Sequence, residues 1–226
     1  MFEERKINPE LLKQYREQGY WKNETLLDCW ERAAAQYPDR EYVVDDRGYR
    51  YTYRELDEAA GRVASYLMEL GIRPGEVVSY QFPIWSEFAM LTIACYKVGA
   101  VAHPIAMSYE EKELARSLNV TESRCYFGPT YFYKTDYEER ILAVRDQTPL
   151  LKDIVLIDSV KPAKSSVRLL REILASYEPL PKEQCVHTKN GQDIAVILCT
   201  SGTTGGTKGV LLSHDNVRFA EEAFNR

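Results

Sequence analysis

Apolar residues in the middle of the chain follow two different spacings. From Leu56 to Leu67 they recur every three or four residues, which predicts a helix with one buried face. Short, largely apolar segments, typical of buried strands, follow at residues 77–82, 100–105, 124–127 and 154–157. Helical patterns separate these runs at residues 86–99, 109–118 and 137–144. This alternation predicts an α/β fold with a doubly wound, mostly parallel sheet and helices on both faces.

The N-terminal part of the chain has its own elements before this alternation begins. Helices are predicted at residues 8–18 and 25–38, and the strands of a hairpin at 41–45 and 49–53. Thr52 and Glu55 have the spacing of a capping box, which predicts the start of the next helix. We expect Asp45 and Asp46 to lie in a solvated turn of the hairpin.

The pattern weakens between residues 161 and 189 and then resumes. A helix is predicted at 167–177, strands at 194–199 and 209–212, and a last helix from Ser213 onwards. We interpret the weak segment as a connection between two subdomains. The expected organisation is a first α/β subdomain over about 1–160 and the start of a second sheet subdomain over 190–226.

The last predicted helix has an apolar face that no later residue covers. Phe219, Ala220 and Phe224 form this face, and the sequence stops at Arg226. We therefore expect the chain to be the N-terminal part of a longer protein. Uncovered apolar surface and open sheet edges would favour self-association of this piece on its own.

Composition and charge exclude several classes of protein. With 29 Lys and Arg against 34 Asp and Glu, the net charge of -5 argues against a nucleic-acid binder. No apolar run approaches the roughly 18 residues that would predict a membrane span, and the charged N-terminus is unlike a secretory signal. Five scattered cysteines and three histidines show no metal-ligand spacing. These features predict a cytoplasmic protein with reduced thiols.

One segment, directly after the strand at 194–199, has a composition suited to binding phosphate. Its candidate phosphate-binding residues are Thr200, Ser201, Gly202, Thr203, Thr204, Gly205 and Lys208. Glycines allow the backbone to approach a ligand, successive amides can form an anion-binding nest, and hydroxyls can donate to phosphate oxygens. Lys208 would add a positive charge for the terminal phosphates. The alternative interpretation is an ordinary glycine- and threonine-rich surface loop.

The segment differs from the two common nucleotide-binding motifs. A P-loop has Gly before its lysine and Ser or Thr after it, whereas this chain has Thr207 and Gly209. The spacing of the dinucleotide-binding glycine motif is also absent. Because a second strand is predicted after Lys208, the loop would connect two strands and receive little help from a helix dipole.

The sequence resembles the adenylate-forming enzymes, which include acyl-CoA synthetases, aryl-acid ligases and adenylation domains. The matching segments are residues 51–56, 70–78, 96–101 with Pro104, and 200–210 with Ser213 and His214. The segment at 15–21 is most similar to members acting on aryl, alicyclic or carnitine-type acids. One position departs from the family, which usually has Pro before the loop lysine where this chain has Thr207.

The resemblance implies a two-step reaction and a division of the site. A carboxylate would attack the α-phosphate of ATP, releasing pyrophosphate, and the acyl group would then pass to CoA. The loop residues and Lys208 would hold the β- and γ-phosphates. The adenine site, the ligand for Mg²⁺, most of the acyl pocket and the small C-terminal domain would lie beyond Arg226, so the piece alone is expected to be inactive.

Other readings of the function stay open at this stage. The enzyme could load a carrier protein instead of CoA, or the chain could be a non-catalytic nucleotide-binding module. Among further candidate residues, His214 is expected in the first turn of the last helix. His103 precedes Pro104 at a strand end, where a ligand could bind, but a turn role is favoured. Cys199 lies in an apolar run, which favours an unreactive buried thiol.

Overall fold

The computed structural model describes residues 8–158, 160–188, 190–201 and 207–224. The helices are α1 (Pro9–Glu17), α2 (Leu26–Gln36), α3 (Tyr53–Glu69), α4 (Ser86–Lys97), α5 (Glu111–Val120), α6 (Tyr137–Val144), α7 (Leu170–Ser176) and α8 (His214–Phe224). The strands are β1 (Glu41–Val44), β2 (Arg50–Thr52), β3 (Val77–Tyr80), β4 (Val101–Pro104), β5 (Cys125–Pro129), β6 (Tyr131–Phe132), β7 (Thr135–Asp136), β8 (Asp153–Ile157), β9 (Arg168–Leu169), β10 (Ile194–Ser201) and β11 (Thr207–Ser213).

A seven-stranded sheet has the order β11-β10-β4-β3-β5-β8-β9. Its strands run parallel, except that β11 returns antiparallel to β10 at the edge. Two small antiparallel pairs, β1 with β2 and β6 with β7, lie outside it. The predicted α/β fold with a mostly parallel sheet is confirmed.

Alternating side chains of each central strand pack against different helices. On β5, Cys125 and Phe127 belong to the cluster that includes buried residues of α2, α3, α4 and α7. Tyr126, between them, packs with buried residues of α5 and α6. Because successive strand residues point to opposite faces, these two clusters confirm that helices cover both faces of the sheet.

The strands at the glycine-rich segment differ from the expectation. The sequence predicts that they begin a second sheet, but β10 pairs in parallel with β4 through Val196 and Ala102. The fully buried Ile197 packs with Val77 and Val101 of the first sheet, so burying this apolar strand extends the existing core. The β10–β11 hairpin is therefore part of the seven-stranded sheet and does not begin another. The division into two subdomains stays a prediction.

A buried ion pair joins three helices on one face of the sheet. The Nζ atom of Lys97 at the end of α4 lies 2.9 Å from the Asp57 carboxylate of α3, and the lysine side chain is only 2% exposed. The indole of Trp30 in α2 donates to the same carboxylate at 2.6 Å. Asp57 therefore fixes the relative positions of α2, α3 and α4.

Gly99 ends α4 in a backbone conformation that suits glycine. Its φ angle is +67°, and a Cβ atom at this position would come within 2.8 Å of the Val186 side chain. Gly75 also has a positive φ, +81°, but a Cβ atom there would have no neighbour within 4 Å. Both positions require a positive φ, which favours glycine, but only Gly99 also lacks the space for a side chain.

In the hairpin turn, Asp46 is exposed as expected, but Asp45 is buried, contrary to the sequence-based expectation. Asp45 is 8% exposed and accepts hydrogen bonds from the Arg47 guanidinium at 2.6 Å and from the Ser86 backbone N–H at 3.2 Å. Burial alone would raise the pKa of Asp45, but the hydrogen bonds from Arg47 and Ser86 outweigh it and hold the pKa below its usual value. The carboxylate thus docks the hairpin on the start of α4.

Candidate functional site

Strands β10 and β11 frame the predicted phosphate-binding loop. Their antiparallel register places Thr200 opposite Lys208 and Ser201 opposite Thr207. Gly202, Thr203, Thr204 and Gly205 lie outside the described residues, as do the side chains of Thr200 and Ser201. The described part of the candidate site is therefore the hairpin on which the loop is mounted, and phosphate binding by the loop stays a prediction.

The loop follows the carboxyl end of β10. This strand runs parallel to β4, and β4 to β3, so all three end at the same edge of the sheet. Ligands of doubly wound sheets bind outside the carboxyl ends of the strands. The topology thus places the glycine-rich segment at the edge where such a ligand is expected.

Lys208 stands at the start of β11 with its side chain exposed. The alternation along the strand explains this exposure, since Val210 two residues later is 44% exposed whereas Leu211 packs on the inner face against Ile197. At Gly209, next to Lys208, a Cβ atom would come within 3.3 Å of the Ile197 side chain. The small residue lets β11 lie close to β10 while the lysine faces solvent.

A cluster of buried polar side chains lies behind β10, between the sheet and α5. At its centre is His103 of β4, which is fully buried. Its Nδ1 atom is 2.7 Å from the Ser79 hydroxyl, and its Nε2 atom is 3.1 Å from the Ser117 hydroxyl and 3.3 Å from the Cys199 thiol. His103 is therefore a sheet residue in a hydrogen-bond network, and the expectation of a turn role was wrong.

Burial sets the ionisation of this histidine and thiol. It lowers the pKa of His103 to about 4, so the imidazole is neutral at physiological pH. It also raises the pKa of the Cys199 thiol, while a hydrogen bond from Ser117 acts weakly in the opposite direction. The neutral pair agrees with the expectation that Cys199 is unreactive, although its side chain is only half-buried.

Sequence reasoning did not single out the hydroxyl side chains of this cluster. Ser79 comes from β3, Ser117 from α5, and Thr121 and Ser123 from the connection to β5. All four are at most 2% exposed. Each is unremarkable in its local sequence, and only the packing of α5 on the sheet brings the hydroxyls together.

His214 has a structural role at the beginning of α8, as expected. Its Nδ1 atom accepts a hydrogen bond from the Leu26 backbone N–H at 3.1 Å, which links α8 to the first turn of α2. Ser213 caps α8 by accepting from the Asn216 backbone N–H at 3.3 Å. These contacts fix the junction of β11 and α8, at the opposite end of β11 from Lys208.

Within the described ranges, no group of three or more His, Cys, Asp or Glu side chains could hold a metal ion. None of the described helices is long and apolar enough to cross a membrane.

Comparison with known proteins assigns this fold to a family of enzymes. The chain belongs to the AMP-binding enzyme family, whose pattern it matches over residues 30–225. It is 39% identical over 210 residues to a medium-chain fatty-acid–CoA ligase of Escherichia coli (strain K12), covering 93% of this chain and 36% of that protein. A 2,3-dihydroxybenzoate–AMP ligase of Bacillus subtilis (strain 168) is 28% identical over 93% of this chain and 37% of its own length.

A solved structure has the same fold. The apo structure of MbtA from Mycobacterium smegmatis superimposes with a TM-score of 0.80 at 25% identity, covering 94% of this chain and 38% of that one. The chain thus spans little more than a third of the length of the relatives that it matches. The fold and family identified from the sequence motifs are confirmed.

Proposed function

We propose that the complete protein is an ATP-dependent acid–CoA ligase and that this chain supplies its phosphate-binding hairpin. A carboxylic acid would be activated as acyl-AMP with release of pyrophosphate, and the acyl group would pass to CoA. The observation that carries the proposal is the β10–β11 hairpin, which mounts a glycine- and hydroxyl-rich loop beside Lys208 at the carboxyl edge of the sheet. Family membership and the names of the relatives support the same reaction.

The described residues contribute positioning and charge. Lys208 projects into solvent from the strand that receives the loop, so its ammonium can approach the β- and γ-phosphates of ATP and stabilise the leaving pyrophosphate. The antiparallel register holds the two ends of the loop together, which reduces the entropy lost when the loop closes around phosphate. No nucleophile from the protein is required, because the substrate carboxylate attacks ATP directly.

The first substrates to test are medium-chain fatty acids, since the E. coli relative named for them is 39% identical. Aryl, alicyclic and carnitine-type acids form the second group, as the segment at 15–21 suggests. Pyrophosphate release from the complete protein with ATP, Mg²⁺ and each acid would identify the substrate class. The cytoplasm is the proposed location, in keeping with the reduced cysteines.

Lys208→Ala tests the role of the hairpin. Loss of a charge-assisted contact of roughly 1.5–3 kcal/mol should slow acid-dependent ATP–pyrophosphate exchange by about one to two decades. Thioester formation from a supplied acyl-adenylate should change much less, because pyrophosphate has already left. Lys13→Ala, which removes the same charge from an exposed position on α1, is the control. Unchanged exchange in Lys208→Ala, or equal loss in both half-reactions, would show that the assigned role is wrong.

Two alternatives predict different outcomes of the same assays. An enzyme that loads a carrier protein would catalyse pyrophosphate exchange but would not form a thioester with free CoA. A non-catalytic nucleotide-binding module would bind ATP and show no exchange with any acid. The acid–CoA ligase is favoured over both by the fatty-acid–CoA ligase relative.

A further inference from the structure

Backbone pairing holds the start of β10 in the sheet more firmly than its end. In the described residues, the parallel pairing of β10 with β4 consists of one register pair, Val196 with Ala102. Strand β4 ends two residues later at Pro104, which has no N–H to donate. From Cys199 to Ser201, where β10 leads into the glycine-rich segment, the link to β4 must therefore come from side chains.

Three side chains provide this link at Cys199. The Nε2 atom of His103, the residue after Ala102, lies 3.3 Å from the Cys199 thiol. The hydroxyl of Tyr109 donates to the Cys199 carbonyl at 3.5 Å, a long hydrogen bond. Ser117 of α5 lies beside both partners, 3.4 Å from the thiol and 3.1 Å from Nε2. Cys199 is thus fastened to β4 and to α5 on the inner face of the sheet.

The donor and acceptor of each hydrogen bond around His103 can be assigned by starting from the Ser117 carbonyl, which can only accept. The Thr121 hydroxyl donates to the Ser117 carbonyl at 2.8 Å, so its single proton is used. Ser123, 2.8 Å from Thr121, must then donate to it. Ser79 contacts Ser123 and must donate in turn, because the proton of Ser123 is already committed.

This hydroxyl relay, formed by Thr121, Ser123 and Ser79, fixes the tautomer of His103. Since the proton of Ser79 is used, the close contact of 2.7 Å between Ser79 and Nδ1 requires Nδ1 to carry the hydrogen. Nε2 then has a free lone pair, which faces the Cys199 thiol and the Ser117 hydroxyl. The Ser117 hydroxyl donates its single proton to the Cys199 sulfur at 3.4 Å, so the thiol proton of Cys199 is the one left to donate to Nε2.

We propose that His103 is a positioning residue: its Nε2 atom, held as an acceptor by the hydroxyl relay, fixes Cys199 and with it the end of β10 that leads into the glycine-rich segment. The effect on catalysis rests on the proposed function, whereas the effect on the strand does not. Apolar side chains, such as those of the neighbouring clusters, would fill the same space without any polar group to satisfy.

The tautomer is tested directly by nitrogen-15 NMR of labelled protein at neutral pH. The expected signature is a protonated Nδ1 and an unprotonated Nε2 for His103. The opposite tautomer would overturn the proposal, because a protonated Nε2 could not accept from Cys199. This measurement needs neither ATP nor an acid, so its result is independent of the proposed function.

A matched pair of variants tests the contact to Cys199 in the complete protein. The His103→Gln amide can place an acceptor near the position of Nε2, whereas the shorter His103→Asn amide reaches Ser79 but not Cys199. Hydrogen exchange of the Cys199–Ser201 amides should be about fivefold to tenfold faster in His103→Asn and close to wild type in His103→Gln. Equal protection in both variants, or equal loss, would contradict the assigned contact.

A second pair tests the same contact from the thiol and remains informative if the histidine variants fold poorly. Cys199→Ser keeps a donor and Cys199→Ala removes it, while Cys185→Ala is a control at a buried thiol bonded instead to the Pro181 carbonyl. In Cys199→Ala the KM for ATP should rise about fivefold, with thioester formation from supplied adenylate unchanged. Cys199→Ser should restore the KM, and failure to do so would refute the proposal. Faster amide exchange in an enzyme that shows no ATP turnover would leave the positioning role intact and refute the proposed function instead.

Discussion

The stability of the protein should depend on pH through His103. The residue is fully buried, and burial is the cause that lowers its pKa to about 4, with no charged neighbour contributing. In the unfolded chain the pKa returns to about 6.5. The unfolded state therefore binds the proton more readily than the folded state. The stability contributed by the neutral, buried His103 to the free energy of unfolding is fully present above about pH 6.5 and is lost as the pH falls towards 4.

The size of the effect follows from these two pKa values. At pH 7.5 both states are almost fully deprotonated, and the contribution of proton binding to unfolding is close to zero. At pH 5 the unfolded histidine is almost fully protonated whereas the folded one is mostly neutral. The free energy of unfolding should therefore be about 2 kcal/mol lower at pH 5 than at pH 7.5 from this residue alone.

Urea denaturation of the wild type and of His103→Gln at both pH values measures this contribution. The variant is expected to be less stable at pH 7.5, because a well-packed network is disturbed, but it should lose about 2 kcal/mol less on acidification. Other titrating groups, including Asp45 and His214, are present in both proteins and cancel in the comparison. An equal loss in the two proteins would refute the assignment of a buried neutral imidazole.

Two further substitutions test packing and the buried ion pair, each by urea denaturation at neutral pH. Gly99→Ala should lower the free energy of unfolding by about 2–3 kcal/mol, because its Cβ atom would come within 2.8 Å of the Val186 side chain and φ is unfavourable for alanine. Gly75→Ala has only the unfavourable φ and should lower it by about 1 kcal/mol. Equal losses in the two variants would contradict the role of the Val186 contact. Lys97→Ala should cost about 3 kcal/mol by leaving the Asp57 carboxylate without its buried cation, against less than about 1 kcal/mol for the exposed Lys13→Ala. A loss of less than 1 kcal/mol in Lys97→Ala would show that the pair is not important for stability.

Local signals were sufficient for the helices and the central strands. The capping box at Thr52 and Glu55 correctly predicted the start of α3, and both of its reciprocal hydrogen bonds are present. The apolar run at 154–157 likewise corresponds to β8. Such elements are encoded by neighbours in the sequence, so periodicity and capping residues reveal them.

Pairing between distant segments could not be predicted in the same way. The residues at 167–177 were expected to form one helix, but Arg168 and Leu169 pair with β8 before α7 begins. The position of β10 beside β4 also depends on the whole sheet, and so does the contact of Cys199 with His103. Asp45 was misjudged for a related reason, since its partner Ser86 belongs to an element that follows much later.

Strand order also has a consequence for how the molecule is assembled. Strands β3, β4, β5 and β8 lie between residues 77 and 157, and each can pair soon after it leaves the ribosome. Strand β10 must instead find β4 across about ninety residues, the kind of closure that slows folding because its entropy is lost before any contact is gained. We therefore expect the hairpin that bears Lys208 to join the sheet after the other strands have paired. It would then be the segment of the sheet that depends most on the chain having been synthesised well past its core.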